Sequence, residues 1–100
     1  MFREIFQGFV KLHILYHAAQ APVFGLELTE ELARHGYRLS PGTLYPLLHS
    51  LEKSGYLFCE NRIVNGKIRK YYTATEKGLQ LLAEGTQKAH ELLDEISVKG

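Results

Sequence analysis

The chain is 100 residues long, with 45% hydrophobic and 23% charged residues and a formal net charge of +1. This composition is typical of one small folded domain and excludes a disordered or collagen-like chain. No apolar run approaches the roughly 20 residues that span a bilayer, and the start of the chain lacks a basic segment followed by an apolar signal core, so we expect a cytoplasmic protein without membrane contact.

The charges are distributed unevenly along the chain. Residues 34–77 carry eight Lys or Arg against three Glu, whereas the remaining residues carry four basic and eight acidic side chains. A basic middle segment between acidic ends indicates an anionic partner for the middle of the chain.

Two helices are predicted in the first third of the chain. Apolar residues recur at helical spacing from the start of the sequence, which predicts a first helix over residues 2–19. The stretch "QAPVFG" interrupts it, since Pro22 disfavours helical geometry for the residue before it. A second helix follows at about residues 25–35 and ends at Gly36, which is suited to the left-handed cap conformation.

A third helix is predicted within "LSPGTLYPLLHSLEKSGYL", residues 39–57. Ser40 is a typical N-cap residue, Pro41 fits the first helical position, and Gly55 is suited to cap the other end. Pro46 removes one N–H from the helix interior, at a cost of up to about 3 kcal/mol, yet it lies on the outer face. The inner, core-facing side consists of Leu44, Leu47, Leu48 and Leu51.

A β-hairpin is predicted after Gly55. The runs "YLFCENRIV" and "IRKYYTA" are rich in strand formers, and Asn65-Gly66 between them is a strong signal for a two-residue turn. The sequence therefore predicts a two-stranded ribbon with a basic tip. The basic side chains of this ribbon are Arg62, Lys67, Arg69 and Lys70.

The last predicted helix begins near Glu76, is capped by Thr73 or Thr75, and extends for about 22 residues or roughly 33 Å. Its apolar residues fall on alternating four- and three-residue steps, as in a coiled coil. One small domain cannot cover such a stripe, so we expect a homodimer in which the first helix also takes part. The expected interface residues are Phe2, Phe6, Leu82, Ala89, Leu93 and Ile96.

This order of elements predicts a mainly α chain with a small β-hairpin, arranged as a winged helix-turn-helix DNA-binding domain plus a long C-terminal helix. We expect one domain over residues 1–100, with the winged-helix core at 2–74 and the dimerisation helix at 75–98. In this architecture the third helix enters the major groove and the hairpin, or wing, lies along the adjacent backbone or minor groove.

Two motifs, "LSPGTLYPLLHSLEKSGYL" and "GKIRKYYTATEKG", resemble the PadR family of bacterial transcriptional regulators over about residues 9–82. The resemblance implies a dimeric winged-helix repressor of the short subfamily, whose last helix joins the subunits. Two features differ from the family pattern. The second helix has "GLEL" in place of the usual aromatic after the glycine, and no Trp is present for the planar-drug binding of some short members.

The DNA-contacting residues are expected on the third helix and the wing. The resemblance implies Ser40, Gly42, Thr43, Tyr45, Lys67, Arg69 and Lys70. The helical pattern adds His49 and Lys53, which share the outer face of the third helix. Thr43, Tyr45 and His49 are expected to read bases or DNA shape, whereas the lysines and arginines are expected to contact phosphates. The alternative for Tyr45 is a packing role, and we favour the contact with DNA.

The predicted function is repression through a pseudo-palindromic DNA operator, with the two recognition helices about 34 Å apart. The alternative is a winged-helix module that binds a protein instead of DNA, and its outer face would be apolar. Lys53 and the basic wing favour DNA. A small-molecule effector is compatible with either function, and a cavity between the first and last helices is where we expect it.

Other candidate sites are less supported. His13 and His17 have the four-residue spacing of a helical metal site, but no third ligand is evident nearby in sequence, so we expect ordinary surface or interface histidines, no metal and no cofactor. Cys59 is expected to point inward, unlike the exposed thiol of a redox switch. We expect no enzyme, because the sequence shows no nucleophile with a base, no paired carboxylates and no phosphate-binding glycine loop.

Overall fold

The computed structural model describes the backbone of residues 1–99 and the side chains of residues 1–98. These residues form four helices and three strands, which confirms the prediction of a mainly helical winged-helix fold. Within the described chain, no helix is both long and apolar enough to cross a membrane. The elements are α1 (Phe2–Gln20), β1 (Val23–Phe24), α2 (Gly25–Arg34), α3 (Pro41–Lys53), β2 (Leu57–Val64), β3 (Lys67–Ala74) and α4 (Glu76–Lys99).

The predicted two-stranded ribbon is present as β2 and β3, and a third strand that was not predicted, β1, pairs with β3 to give the order β1-β3-β2. The additional strand is β1, in which Val23 pairs with Tyr72 and Phe24 pairs with Tyr71. Its two residues are too few to give an alternating pattern, and the sequence signals around Pro22 indicate only a break. The strand exists because the long β3 offers it a free edge.

Local turn signals were read correctly from the sequence. Asn65 and Gly66 both have positive φ, 52° and 78°, and they join β2 to β3 as the predicted two-residue turn. Gly36 and Gly55 also have positive φ. Each ends its helix in a Schellman motif, since the following Tyr37 or Tyr56 donates its N–H to a carbonyl one turn back.

The core lies where α1, α2, α3 and the sheet meet. Of the four inward leucines predicted on α3, three are buried and Leu47 is partly buried against the same core. Tyr72 of β3 is also buried, with 4% of its surface exposed, beside Cys59 of β2. Burial, followed by the effect of Cys59, raises the pKa of Tyr72 to about 12. The buried apolar set consists of Val10, Ile14, Leu15, Ala18, Val23, Leu28, Leu32, Leu44, Leu48, Leu51, Leu57 and Tyr72.

Helix α4 is fixed to the domain at its first turns and then projects away. Of the two predicted N-cap candidates, Thr75 is the one that caps α4, because the Gly78 N–H donates to its hydroxyl over 3.1 Å. The Thr75 N–H itself donates to the carbonyl of Tyr56 over 3.1 Å. Further along, Leu93 and Ile96 are more than half exposed, and the molecule is 56 Å long. The distal part of α4 therefore has no covering element within the described chain.

Gly78 permits the close approach of α4 to the start of β2, because a Cβ at this position would overlap the carbonyl oxygen of Tyr56. We therefore expect Gly78→Ala to lower the free energy of unfolding by about 1–3 kcal/mol, measured by urea denaturation, since backbone must move to admit the methyl group. Gly8→Ala is the matched control. Nothing lies within 4 Å of a Cβ built at that helical position, so this change should stabilise by up to about 1 kcal/mol. Equal effects of the two changes would contradict the packing described here.

Candidate nucleic-acid interface

The N-terminal end of α3 presents two exposed hydroxyl groups. Ser40 precedes the helix as predicted, but its hydroxyl makes no capping bond to the backbone. It lies 3.3 Å from the hydroxyl of Thr43 instead. Because a helix N-terminus carries a partial positive charge, these hydroxyls and the adjacent backbone form a polar end that suits an anionic group.

The outer face of α3 is exposed along its whole length. Gly42, Thr43, Tyr45, His49 and Lys53 are all classed as exposed, as expected for the face opposite the buried leucines. Pro46 lies on the same face, so the missing backbone N–H is on the outside of the helix. The predicted recognition residues are thus together on one accessible surface, which we call the α3 face.

Tyr45 is both a packing residue and an accessible one. Its ring lies against Gly25 at the start of α2, where a Cβ would overlap the Tyr45 hydroxyl and lie 2.9 Å from Cζ. The rest of the side chain is open to solvent, with 47% of the residue exposed. Gly25 is buried at the first position of α2, and no turn requires a glycine there. The sequence did not predict the contact with Tyr45 that the missing side chain permits. The ring orientation is therefore set by α2.

The wing carries basic side chains on both of its faces. Arg62 pairs with Arg69 and Val64 pairs with Lys67 across the two strands. Because side chains alternate along a strand, Lys67 and Arg69 share one face with Arg62, whereas Lys70 lies on the other. These cations are close together in the sequence, but the alternation of side chains along the strand places them on two different faces of the wing.

The wing arginines are held by aromatic rings. The guanidinium carbon of Arg69 lies 4.1 Å from the ring centroid of Phe24, and that of Arg62 lies 4.5 Å from the ring centroid of Tyr71. Arg62 also forms an ion pair with Glu60 at 2.6 Å. Among residues 1–98, neither Lys67 nor Lys70 is in an ion pair. The two lysines are the cations of the wing with the most freedom to move towards a ligand.

The α3 face is flanked by basic side chains on two sides. A cleft of about 300 Å³ between α2, α3 and the wing is lined by Tyr45, Arg69 and Lys70, among others. A groove of about 550 Å³ on the other side is lined by Arg3 and Arg38 together with the first residues of α3. Neither arginine was among the predicted DNA contacts. Arg3 is far from α3 along the chain, so the sequence did not indicate that the two are close in space.

An exposed apolar pair lies at the tip of the wing. Ile63 and Ile68 are cross-strand partners on the same face as Lys70, and they are 79% and 73% exposed. The sequence does not distinguish these two residues from strand residues of the core. They are exposed because this end of the hairpin extends beyond the core. Apolar side chains of this size can pack on sugars or base edges in the minor groove.

The predicted dimer-interface residues are separated into two groups. Phe2, Phe6, Leu93 and Ile96 are exposed by about half or more. Leu82 and Ala89 are only partly exposed, and Leu82 packs against the core of its own chain. The interface stays a prediction for all six.

Comparisons with known proteins agree with this geometry. Residues 14–84 match the model of the transcriptional regulator PadR-like family. The chain is 51% identical over 94 residues to the transcriptional regulator Rv3488 of Mycobacterium tuberculosis, which covers 94% of this chain and 88% of that protein. A PadR family transcriptional regulator from Eggerthella lenta has a TM-score of 0.78 at 36% identity, covering 96% of this chain and 81% of that one. A PadR-like regulator from Bacillus cereus has a TM-score of 0.84 at 32% identity, covering 94% and 93%.

Gly25→Ala tests the placement of Tyr45. Because the added methyl group would overlap the Tyr45 ring, we expect the change to destabilise the native chain, and to do so much less when Tyr45 is already Ala. A double-mutant cycle by urea denaturation should give a coupling energy of about 0.5–1 kcal/mol between the two positions, since the half-exposed ring can turn away from the methyl group. A coupling energy near zero would contradict the contact.

Proposed function

The chain belongs to the PadR-like family of transcriptional regulators, and on that premise we propose that it binds a double-stranded DNA operator as a homodimer and represses transcription. The observation that carries the proposal is the exposed α3 face between two clefts lined by basic residues. Membership of this family also agrees with the expectation that the chain is not an enzyme.

In the proposed complex, α3 enters the major groove by its N-terminal end. The hydroxyls of Ser40 and Thr43 donate to phosphate oxygens at the groove edge, because the helix terminus favours an anion there. Tyr45 and His49 face base edges. Lys53, in the last turn of α3, contacts the phosphate backbone on the far side of the groove. This contact adds affinity without reading a base.

The wing supplies phosphate contacts beside α3. Lys67 and Arg69 on one face and Lys70 on the other allow the wing to lie inside a groove and contact both of its walls. The stacking of Arg69 on Phe24 holds its guanidinium in place before DNA arrives, so less side-chain entropy is lost on binding. The wing therefore contributes affinity, whereas sequence discrimination comes from α3.

Replacing Lys67, Arg69 and Lys70 together by Ala tests the wing. Each phosphate contact contributes about 0.9 to the slope of log affinity against log salt concentration, so the slope should become shallower by up to about 2.7 for three contacts. Fluorescence anisotropy with a labelled operator across a salt series measures this change.

The control removes the same amount of charge elsewhere, by replacing Lys11, Arg34 and Lys88 together. These residues lie on α1, α2 and α4, and none of them lines either cleft beside the α3 face. Their removal should shift affinity slightly and leave the slope near that of the native chain. Equal slopes for the native chain and the wing variant would remove the wing from the proposal.

The homodimer is supported by the exposed apolar surface of α4 and α1. Leu93 and Ile96 continue the stripe of α4 beyond the point at which its own chain covers it, and the ring of Phe2 is 75% exposed. A second copy that packs the same stripe against this one would bury these side chains through a two-fold interface. Such symmetry matches a pseudo-palindromic operator with half-sites about 34 Å apart.

Leu93→Asp tests the dimer. A charge placed in an apolar interface without a partner costs several kcal/mol, so we expect monomers at micromolar concentration by light scattering. Gln87→Asp introduces the same charge on a different face of α4, where the side chain is exposed, and should remain dimeric. A dimer that survives Leu93→Asp would show that the subunits meet elsewhere.

Response to a ligand is the last part of the proposal. A cavity of about 310 Å³ opens between α1 and α4, lined by Phe9, Leu12, Leu82 and Thr86 on its apolar side. It lies where we expected an effector from the sequence. Three histidines, His13, His17 and His35, line its opposite wall.

A further inference from the structure

Three histidines lie together where α1 meets the end of α2. His13 and His17 are one turn apart on α1, and His35 directly follows α2. One ring nitrogen of each lies within 4.8 Å of those of the other two. The rings of His13 and His35 are stacked, with centroids 4.6 Å apart. The sequence shows the first pair, and the fold brings the third histidine to it.

The backbone fixes the position of His35. It is the C-cap of α2, and the Schellman motif that follows places Gly36 at a φ of 87°. Within this motif the Tyr37 N–H donates to the carbonyl of Leu32 over 2.9 Å. The Tyr37 ring lies beside the cluster, with its centroid 5.5 Å from that of His13. The backbone therefore fixes His35 at the end of α2, where its ring stacks on that of His13.

A carboxylate lies beside the cluster. Oε2 of Glu31 lies 3.9 Å from Nε2 of His17, and Glu31 is one turn before His35 on α2. A small movement of either side chain would let this carboxylate accept a hydrogen bond from the ring, which is how carboxylates commonly orient metal-binding histidines.

We propose that His13, His17 and His35 form a binding site for a divalent transition-metal ion of the zinc, nickel, cobalt and copper class. At Zn–N distances of about 2.0–2.1 Å, tetrahedral ligand nitrogens lie about 3.4 Å apart, so the rings need to approach one another by at most about 1.4 Å. Two of the ligands have the i, i+4 spacing that places both side chains on one helix face.

The ligand set selects the class of metal. Three imidazole nitrogens without a thiolate suit borderline transition metals, whereas Ca²⁺ and Mg²⁺ require several oxygen ligands. The fourth position is left to water or to Glu31. Because His35 begins the connection that leads through Tyr37 to α3, the ion joins α1 to the approach to the recognition helix. An effect on operator affinity rests on the proposed function, but metal binding itself does not.

The test is isothermal titration of Zn²⁺ into the full chain, freed of metal by a chelator, with Mg²⁺ as the comparison ion and no DNA present. We expect saturation at one Zn²⁺ per chain and no measurable heat of binding for Mg²⁺. His17→Ala and His35→Ala should each weaken Zn²⁺ binding by at least about tenfold. His90→Ala removes an exposed histidine on α4 and should leave the affinity unchanged.

Circular dichroism establishes whether each variant is folded. If His35→Ala is not folded, His35→Asn replaces it, since Asn is tolerated at helix C-termini. The same Zn²⁺ affinity in the native chain and in the folded His35 variant would overturn the site. So would the absence of saturable Zn²⁺ binding, or a loss on His90→Ala equal to that on His35→Ala. A chain that binds Zn²⁺ but fails to bind any operator would overturn the proposed function and leave this site standing.

Discussion

The burial of one face of α3 is the constraint on which the other surfaces depend. Leu44, Leu48 and Leu51 are within a few per cent of complete burial in the core, on the side of α3 that packs against α2 and β2. With 3.6 residues per turn, this anchoring leaves no choice about which side chains point outward. Thr43, Tyr45 and His49 are therefore accessible because the leucines are buried, and from Leu44 onwards the core beneath α3 fixes the orientation of the α3 face.

Local chemistry was readable from the sequence wherever neighbouring residues decide the structure. The two Schellman glycines, the Asn65-Gly66 turn and the capping threonine each act within about five residues, so composition and spacing sufficed. The fold class followed from the order of these elements. Helix ends agreed to within one or two residues because caps mark them.

Contacts between distant segments could not be read in the same way. Strand β1, the approach of Tyr45 to Gly25, and the meeting of His35 with the α1 histidines each join residues that are close only after folding. A heptad-like stripe has a similar ambiguity, since its spacing does not say which chain covers it. Leu82 is covered by its own chain, whereas Leu93 is exposed, although both follow one pattern.

Pro46 has a consequence for the motions of α3. Without its N–H, the residue cannot bond to the carbonyl of Gly42, so the first turn is tied to the rest of the helix by fewer bonds than an uninterrupted turn. The leucines that anchor α3 begin at Leu44 and lie mostly beyond this point. The first turn can thus open at a small fraction of the free energy of global unfolding. The tip of the recognition helix can adjust to a groove while its base stays fixed.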